Sequence, residues 1–432
     1  MSQVPTTTAL RARWIVPMDG PAISHGVIVL SGGRITAVAS DLARARRHHH
    51  DPLPELVDLG NVAILPGLVN AHAHLEFSDC RVPLGQPGMS FPDWIRQVIQ
   101  WRRSIPRTKA DVAQAVTLGI QELARTGTTT VGEIATGDWP ADTIEAAQSI
   151  AGVTAFLELI GLAPERIADN LARAQHHLSR PRAVGSWRPA LSPHAPYTVH
   201  PQLLAAAVDL ALPTGAPLAM HLAESPEELE LLATATGPFR RLLDDLGAWH
   251  PDAIPLGTTP LDYLTALSRA PRSLIIHGNY LSDDEFAFLA AHRQRMALIY
   301  CPRTHHYFGH RPYRLPEILA RGVHVAIGTD GRGSNPDLDL LAELRFVAHI
   351  YPTLAPHQVL ELGTRAAAQA LGLSEIGTLT PGKIADLAII ALADPNATDP
   401  AAAILDPASR VVATYRRGER VDPIKVLTTG NS

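Results

Sequence analysis

The stretch LPGLVNAHAHLEFS, residues 65–78, decides how this chain is read. An apolar run closed by Pro66 and Gly67 leads into His72 and His74, one residue apart. Alone, the pair is compatible with a loop. On an extended strand, residues i and i+2 point to the same face, so both imidazoles can close on one ion. The reading turns on whether other apolar runs end in the same way.

Eight such runs follow one another, at 64–74, 128–135, 153–161, 188–195, 217–224, 273–280, 296–304 and 323–331. Between them lie segments with apolar residues at helical spacing, as at 110–127, 164–178, 201–212 and 356–372. Several open on Pro or on an Asp or Ser cap. Strand-then-helix units in this number fit an α/β fold, the (β/α)8 TIM barrel, whose active sites lie at the C-terminal ends of the strands. The titratable residues fall where that rule requires. His72 and His74 follow the first strand, His194 the fourth, His221 and Glu224 the fifth, His277 the sixth and Asp330 the eighth.

Both ends of the chain read differently. Segments 9–18, 26–40 and 57–67, and again 377–392 and 410–421, are short strand-like runs punctuated by Gly, Asp and Pro. They predict one small β-sandwich built from residues 1–65 and 374–432, flanking a hydrolase barrel at 66–373.

Composition narrows the partners. A chain of 432 residues, 46% hydrophobic, can bury a large core and a second, smaller one. Net charge is −5 with basic and acidic residues intermingled, so there is no footprint for nucleic acid or an anionic membrane. A small molecule is the expected partner. No apolar run approaches the roughly 18 residues that span a bilayer. Cys80 and Cys301 are too few for a disulfide framework. A soluble cytoplasmic protein is expected, and RARRHHHD at 44–51 reads as a solvated loop.

Three imidazoles and a carboxylate, from His72, His74, His221 and Asp330, suit one divalent ion. Zinc is the first choice, Fe2+ or Mn2+ remaining open, with a position left for water. Such water loses a proton near neutral pH. Glu224 stands three residues beyond His221, just off the strand end, where a carboxyl can protonate substrate. Its other reading is a helix-capping or surface carboxylate.

The segments PGLVNAHAHLEFS, SPHAPYT, HLAESPEE, HGNYL, YCPRT and GTDGRGSNPDLDLLAELR together resemble the amidohydrolase superfamily, in its cytosine deaminase and chlorohydrolase-like branch. The resemblance spans nearly the whole chain, including the closing GTLTPGKIADLAII. It implies metal ligation by His72, His74, His221 and Asp330, with Asp330 also taking a proton from the metal-bound water. It further implies that Glu224 protonates a ring nitrogen, that His277 orients or deprotonates the hydrolytic water, and that His194 contacts substrate. The implied reaction is hydrolytic deamination: metal-bound hydroxide attacks the carbon bearing an exocyclic amine, and ammonia leaves. Binuclear relatives use a carboxylated lysine or a glutamate near the end of strand four. Here the only lysines are Lys109, Lys383 and Lys425, none at that place, and strand four supplies His194, so a single ion is expected.

Within the branch, the HLE sequence, SPHAPYT and HLAESPEE look most like aminodeoxyfutalosine deaminases, with S-adenosylhomocysteine or methylthioadenosine deaminases next. A guanine, cytosine or triazine substrate, a cyclic amide hydrolase and a metal-free scaffold stay open. The insertion at 78–108 is too long for an ordinary barrel loop and reads as a substrate lid. It carries FPDWI, similar to an F-x-E-W-L element that holds ribose hydroxyls, with Asp93 in place of the glutamate. Asp93 is read either as that contact or as a helix N-terminal carboxylate. Arg96, Arg102 and Arg103 are read as contacts for an acidic group on the substrate or as solvated. Glu76 either touches substrate or fastens the lid. In YCPRTHHYFGH, Arg303 and His305 are assigned to the substrate pocket, and a second metal site among His305, His306 and His310 is a minor alternative. Members of the family are often homodimers, although the oligomeric state is not legible in the sequence.

Overall fold

A computed structural model describes residues 7–47, 56–104, 107–137, 139–180 and 187–422, with only the backbone described at 46 and 47. Its central sheet contains β1 (Leu68–His74), β2 (Thr128–Ala135), β3 (Gly152–Leu159), β4 (Trp187–Pro193), β5 (Leu218–Leu222), β6 (Ser273–His277), β7 (Met296–Tyr300) and β8 (Val325–Ile327), in that spatial order and parallel throughout. Immediately after β8, Asp330–Gly331 pairs with Ala73 and His74 of β1. The two edges of the sheet are thus consecutive in the chain, and the sheet closes into the expected (β/α)8 barrel. Val69, Ala71, Ile134, Phe156, Ala190, Ala219, Leu274, Ile276, Ala297, Ile299 and Ala326 meet in one buried cluster drawn from all eight strands.

The run at 64–74, read as one strand, is two. Val62–Pro66 pairs antiparallel with Leu387–Ala391, while β1 begins at Leu68 and belongs to the barrel. The break falls at Gly67, where a Cβ would lie 2.3 Å from the Thr129 hydroxyl. The chain changes sheets at a point where β1 and β2 leave no room for a side chain. Similarly, 356–372 divides into Pro356–Leu362 and Arg365–Ala370 at Gly363. Residues 9–18 supply two strands, Thr7–Arg11 and Trp14–Ile15, to different sheets.

Two small sheets accompany the barrel. One is formed by Arg34–Ala39, Val27–Ser31, Thr7–Arg11 and Leu56–Asp58. The other joins Trp14–Ile15, Ile23–Ser24 and Val62–Pro66 to Leu387–Ala391, Arg410–Arg416 and Glu419–Arg420, so both ends of the chain build it. The run 44–51 is not simply a loop: Leu42–Arg47 is a short helix, and 48–51 lie outside the described residues, as does Lys425. The insertion after β1 contains a helix, Phe91–Ser104, beside the ends of the barrel strands. Among the described residues no helix is long and apolar enough to cross a membrane.

Candidate active site

His72 stands at the middle of the rim. Its ring centroid lies 4.9 Å from that of His74, 5.0 Å from His221 and 5.8 Å from His277. Asp330 Oδ1 is 3.5 Å from Nε2 of both His72 and His74. The glycines of GTDG make this approach possible. A Cβ on Gly328 would come within 2.8 Å of the His72 Cβ, and one on Gly331 within 3.0 Å of the His74 Cβ. Two donor groupings result, His72 with His221 and His277, and His72 with His74 and Asp330, each with its ligand atoms within 4.8 Å of one another.

Burial decides the charge of these rings. His72, His74 and His277 are held well below the usual histidine range, and His194 and His221 are lowered to about 4. Removal from water disfavours the imidazolium in every case, and neighbouring imidazoles add to it. Neutral rings keep a lone pair for a cation. His221 donates from Nδ1 to the His194 carbonyl at 3.1 Å, which leaves its Nε2 as the free base. His72 Nε2 is buried without a hydrogen-bond partner among the described residues. Ser334 Oγ donates to Asp330 Oδ2 at 2.8 Å, so Oδ1 is the oxygen left facing the two imidazoles. An orphaned buried nitrogen among neutral imidazoles and one carboxylate fits a borderline divalent ion.

Two of these residues reach the cluster through unusual backbone. His277 has φ +67° and Asp330 φ +59°, in the left-handed region that residues with a side chain seldom occupy. Leu274 and Ile276 of β6 face the barrel interior. Strict alternation would turn His277 outward, and its positive φ brings the ring back.

Glu224 follows β5 and precedes the helix Pro226–Thr234. Ser225 caps that helix, accepting from Glu228 N at 3.3 Å, and Pro226 opens it. The Glu228 side chain turns back to accept from Ala223 N at 2.8 Å and Glu224 N at 2.9 Å. Asn279 Nδ2 donates to the Glu224 carbonyl at 2.9 Å. Held in this way, Glu224 places Oε1 3.4 Å from His277 Nε2. Burial, with Asp330 and Glu228 nearby, raises its carboxyl well above the usual range, which favours the acid form.

The other sequence expectations divide. His194 joins the cluster, its ring centroid 5.1 Å from that of His221 and its Nδ1 2.7 Å from Thr198 Oγ1. Glu76 lies buried just beyond β1 and is ion-paired with Arg102 of the helix Phe91–Ser104, while its carbonyl accepts from Arg107 at 2.8 Å. It fastens the insertion to the rim. Asp93 is not brought to the histidines: its half-exposed carboxylate accepts from Ser90 Oγ at 2.7 Å and pairs with Arg96. Arg303 is likewise not free for substrate, because its guanidinium is spent on Asp337 and buried Glu343. His305 is buried beside His310, their centroids 5.3 Å apart, and the donor groupings found among the described residues include neither. Ser334, Glu228 and Glu158 escaped the sequence reading. Alternation in β3 marks Glu158, two places beyond the interior residue Phe156.

The amidohydrolase family model matches residues 63–421. The 5-methylthioadenosine/S-adenosylhomocysteine deaminase of Moorella thermoacetica is 31% identical over 405 residues, covering 89% of this chain and 86% of that protein. The aminodeoxyfutalosine deaminase of Deinococcus radiodurans is 30% identical over 365 residues, covering 82% and 83%. The crystal structure of Helicobacter pylori aminofutalosine deaminase with methylthio-coformycin superposes with a TM-score of 0.82 at 23% identity, over 96% of this chain and 100% of that one. The histidines and aspartate gathered at the strand ends therefore sit in a chain that belongs to the amidohydrolase family.

Proposed function

We propose that this protein is a metal-dependent hydrolytic deaminase of an aminopurine nucleoside-like substrate, releasing ammonia. The observation that carries this reading is the buried Glu224 carboxyl, 3.4 Å from His277 and beside the grouping of His72, His74 and Asp330. Amide hydrolysis needs no acid aimed at a ring nitrogen. Loss of an amine from an aromatic ring does, because protonating the ring nitrogen lets the adjacent carbon accept a nucleophile. The Moorella and Deinococcus relatives, 31% and 30% identical, are named as deaminases of adenosyl and aminodeoxyfutalosine compounds, which supports the same class.

His72, His74, His221 and Asp330 would hold a single divalent ion, zinc in our reading, which when bound would supply there a water acidic enough to ionise near neutral pH. Asp330 Oδ1 accepts a proton from that position while Ser334 steadies Oδ2. Glu224 would donate its proton to the ring nitrogen, the proton taken up by Asp330 would pass to the departing amine so that it leaves as ammonia, and the hydroxyl proton on the attacked carbon would return Glu224 to its acid form as the carbonyl forms. His277, neutral and hydrogen-bond capable at Nε2, orients the water between Glu224 and Asp330. His194 contacts the substrate from β4. A cytoplasmic location fits two buried cysteines that form no disulfide.

Zinc-loaded protein should release ammonia from adenosyl compounds with a purine-to-hypoxanthine absorbance change. No ammonia from a panel of adenosine, 5-methylthioadenosine, S-adenosylhomocysteine and aminodeoxyfutalosine would sink the nucleoside reading. Ammonia from free bases or triazines alone would redirect it.

A further inference from the structure

On the nucleoside-deaminase reading, we propose that Glu158, at the C-terminal end of β3, is the substrate's hydroxyl receptor, its carboxylate accepting hydrogen bonds from the paired 2′ and 3′ hydroxyls of the sugar. Three observations lead there. Phe156 packs in the cluster shared by all eight barrel strands, and Glu158, two places on, lies on the same face of β3. It therefore emerges into the mouth of the barrel, as His194 does above Ala190 and His221 above Ala219.

The second observation is that this carboxylate is unsatisfied. Its side chain is 11% exposed, and among the described residues its nearest ion-pair neighbour is His194 Nε2 at 3.9 Å, beyond hydrogen-bond reach. Glu158 is only partly buried, so a donor that enters the barrel mouth can reach its carboxylate. The neighbouring carboxylate, Glu76, is already committed to Arg102, so Glu158 is the free acid of the two. Its two oxygens match the two O–H donors of a vicinal diol.

The third concerns what is missing elsewhere. Asp93 is turned to Ser90 and Arg96 at the surface of the lid helix and leaves sugar hydroxyls without a carboxylate from that side. In this chain β3 supplies it instead.

The test compares adenosine with 2′,3′-dideoxyadenosine as substrates of the zinc-loaded wild type, Glu158→Gln and Glu158→Ala, with zinc content and thermal midpoint confirming that each variant is folded. The wild type should prefer adenosine by on the order of 100-fold in kcat/KM, with most of the difference in KM. Both variants should lose that preference to within a few-fold, by losing adenosine activity and leaving the dideoxynucleoside rate nearly unchanged. Equal losses on both substrates would mean that Glu158 only orients His194, and would overturn the proposal, as would a wild type indifferent to the hydroxyls. A wild type silent toward every nucleoside would overturn the nucleoside reading and this proposal with it, an outcome distinct from active enzyme with unaltered selectivity.

Discussion

Oε1 of Glu224 and Nε2 of His277 lie 3.4 Å apart, both side chains almost wholly buried. The same cause, removal from water, raises the acid and lowers the base, so it favours the neutral form of each. A proton passed from the acid to the imidazole would leave two buried charges, so burial keeps it on the acid for the substrate. Glu224→Gln keeps the shape and removes the proton. Ammonia release should fall by roughly 100- to 10,000-fold while bound metal, read by elemental analysis, stays at the wild-type level. A fully active variant would remove Glu224 as the acid.

His72 touches every other imidazole of the metal grouping, so its loss should be felt by the fold as well as by the chemistry. A ligand that binds only the folded state stabilises it by about 4 kcal/mol at a thousandfold excess over Kd. Chelation should therefore lower the wild-type thermal midpoint. His72→Ala should start low, lack metal and activity, and respond little to chelator.

Ser334 fixes which oxygen of Asp330 faces the histidines. Ser334→Ala frees the carboxylate to rotate, and metal affinity should drop by roughly 10- to 100-fold, the usual scale for losing a partner of a ligand. Competition with a chromophoric chelator measures this directly. Unchanged affinity would leave Ser334 without that role.

Arg102 ties the helix Phe91–Ser104 of the insertion to buried Glu76. Arg102→Ala should loosen the insertion rather than the barrel. Hydrogen exchange of amides in Phe91–Ser104 should speed up while β5 to β7 stay protected, and KM should rise more than kcat falls. Unaltered exchange in the helix would show that the pair does not hold it.

Glu228 is raised by burial from an ordinary 4.5 to about 7, although two backbone N–H groups favour its ionised form. A carboxyl raised on folding stabilises the fold when protonated. Its contribution is fully present below about pH 4.5 and is lost as pH rises through about 7. The shift corresponds to about 3 kcal/mol across that window. Glu228→Gln removes the titration. Its stability deficit relative to wild type, measured by urea unfolding, should shrink as pH rises from 4.5 to 7.5. A constant deficit would contradict the buried carboxyl assigned here.

The sequence by itself determined the barrel and which titratable residues stand at its strand ends. Alternation and length set the eight strands, and residues at their ends must emerge on one rim because all the strands are parallel. The two-residue period likewise put His72 and His74 on one face. Tertiary structure alone decided what alternation cannot encode. A single left-handed residue turns His277 inward against the period of its strand. Arg303 is claimed by Asp337 and Glu343, 34 and 40 residues away, rather than by substrate. Asp93 is lost to its helix neighbours, and Glu76 is taken by the lid. Each of these outcomes is a competition between partners brought together only by folding. The same competition leaves Glu158 at the barrel mouth with no hydrogen-bond partner among the described residues.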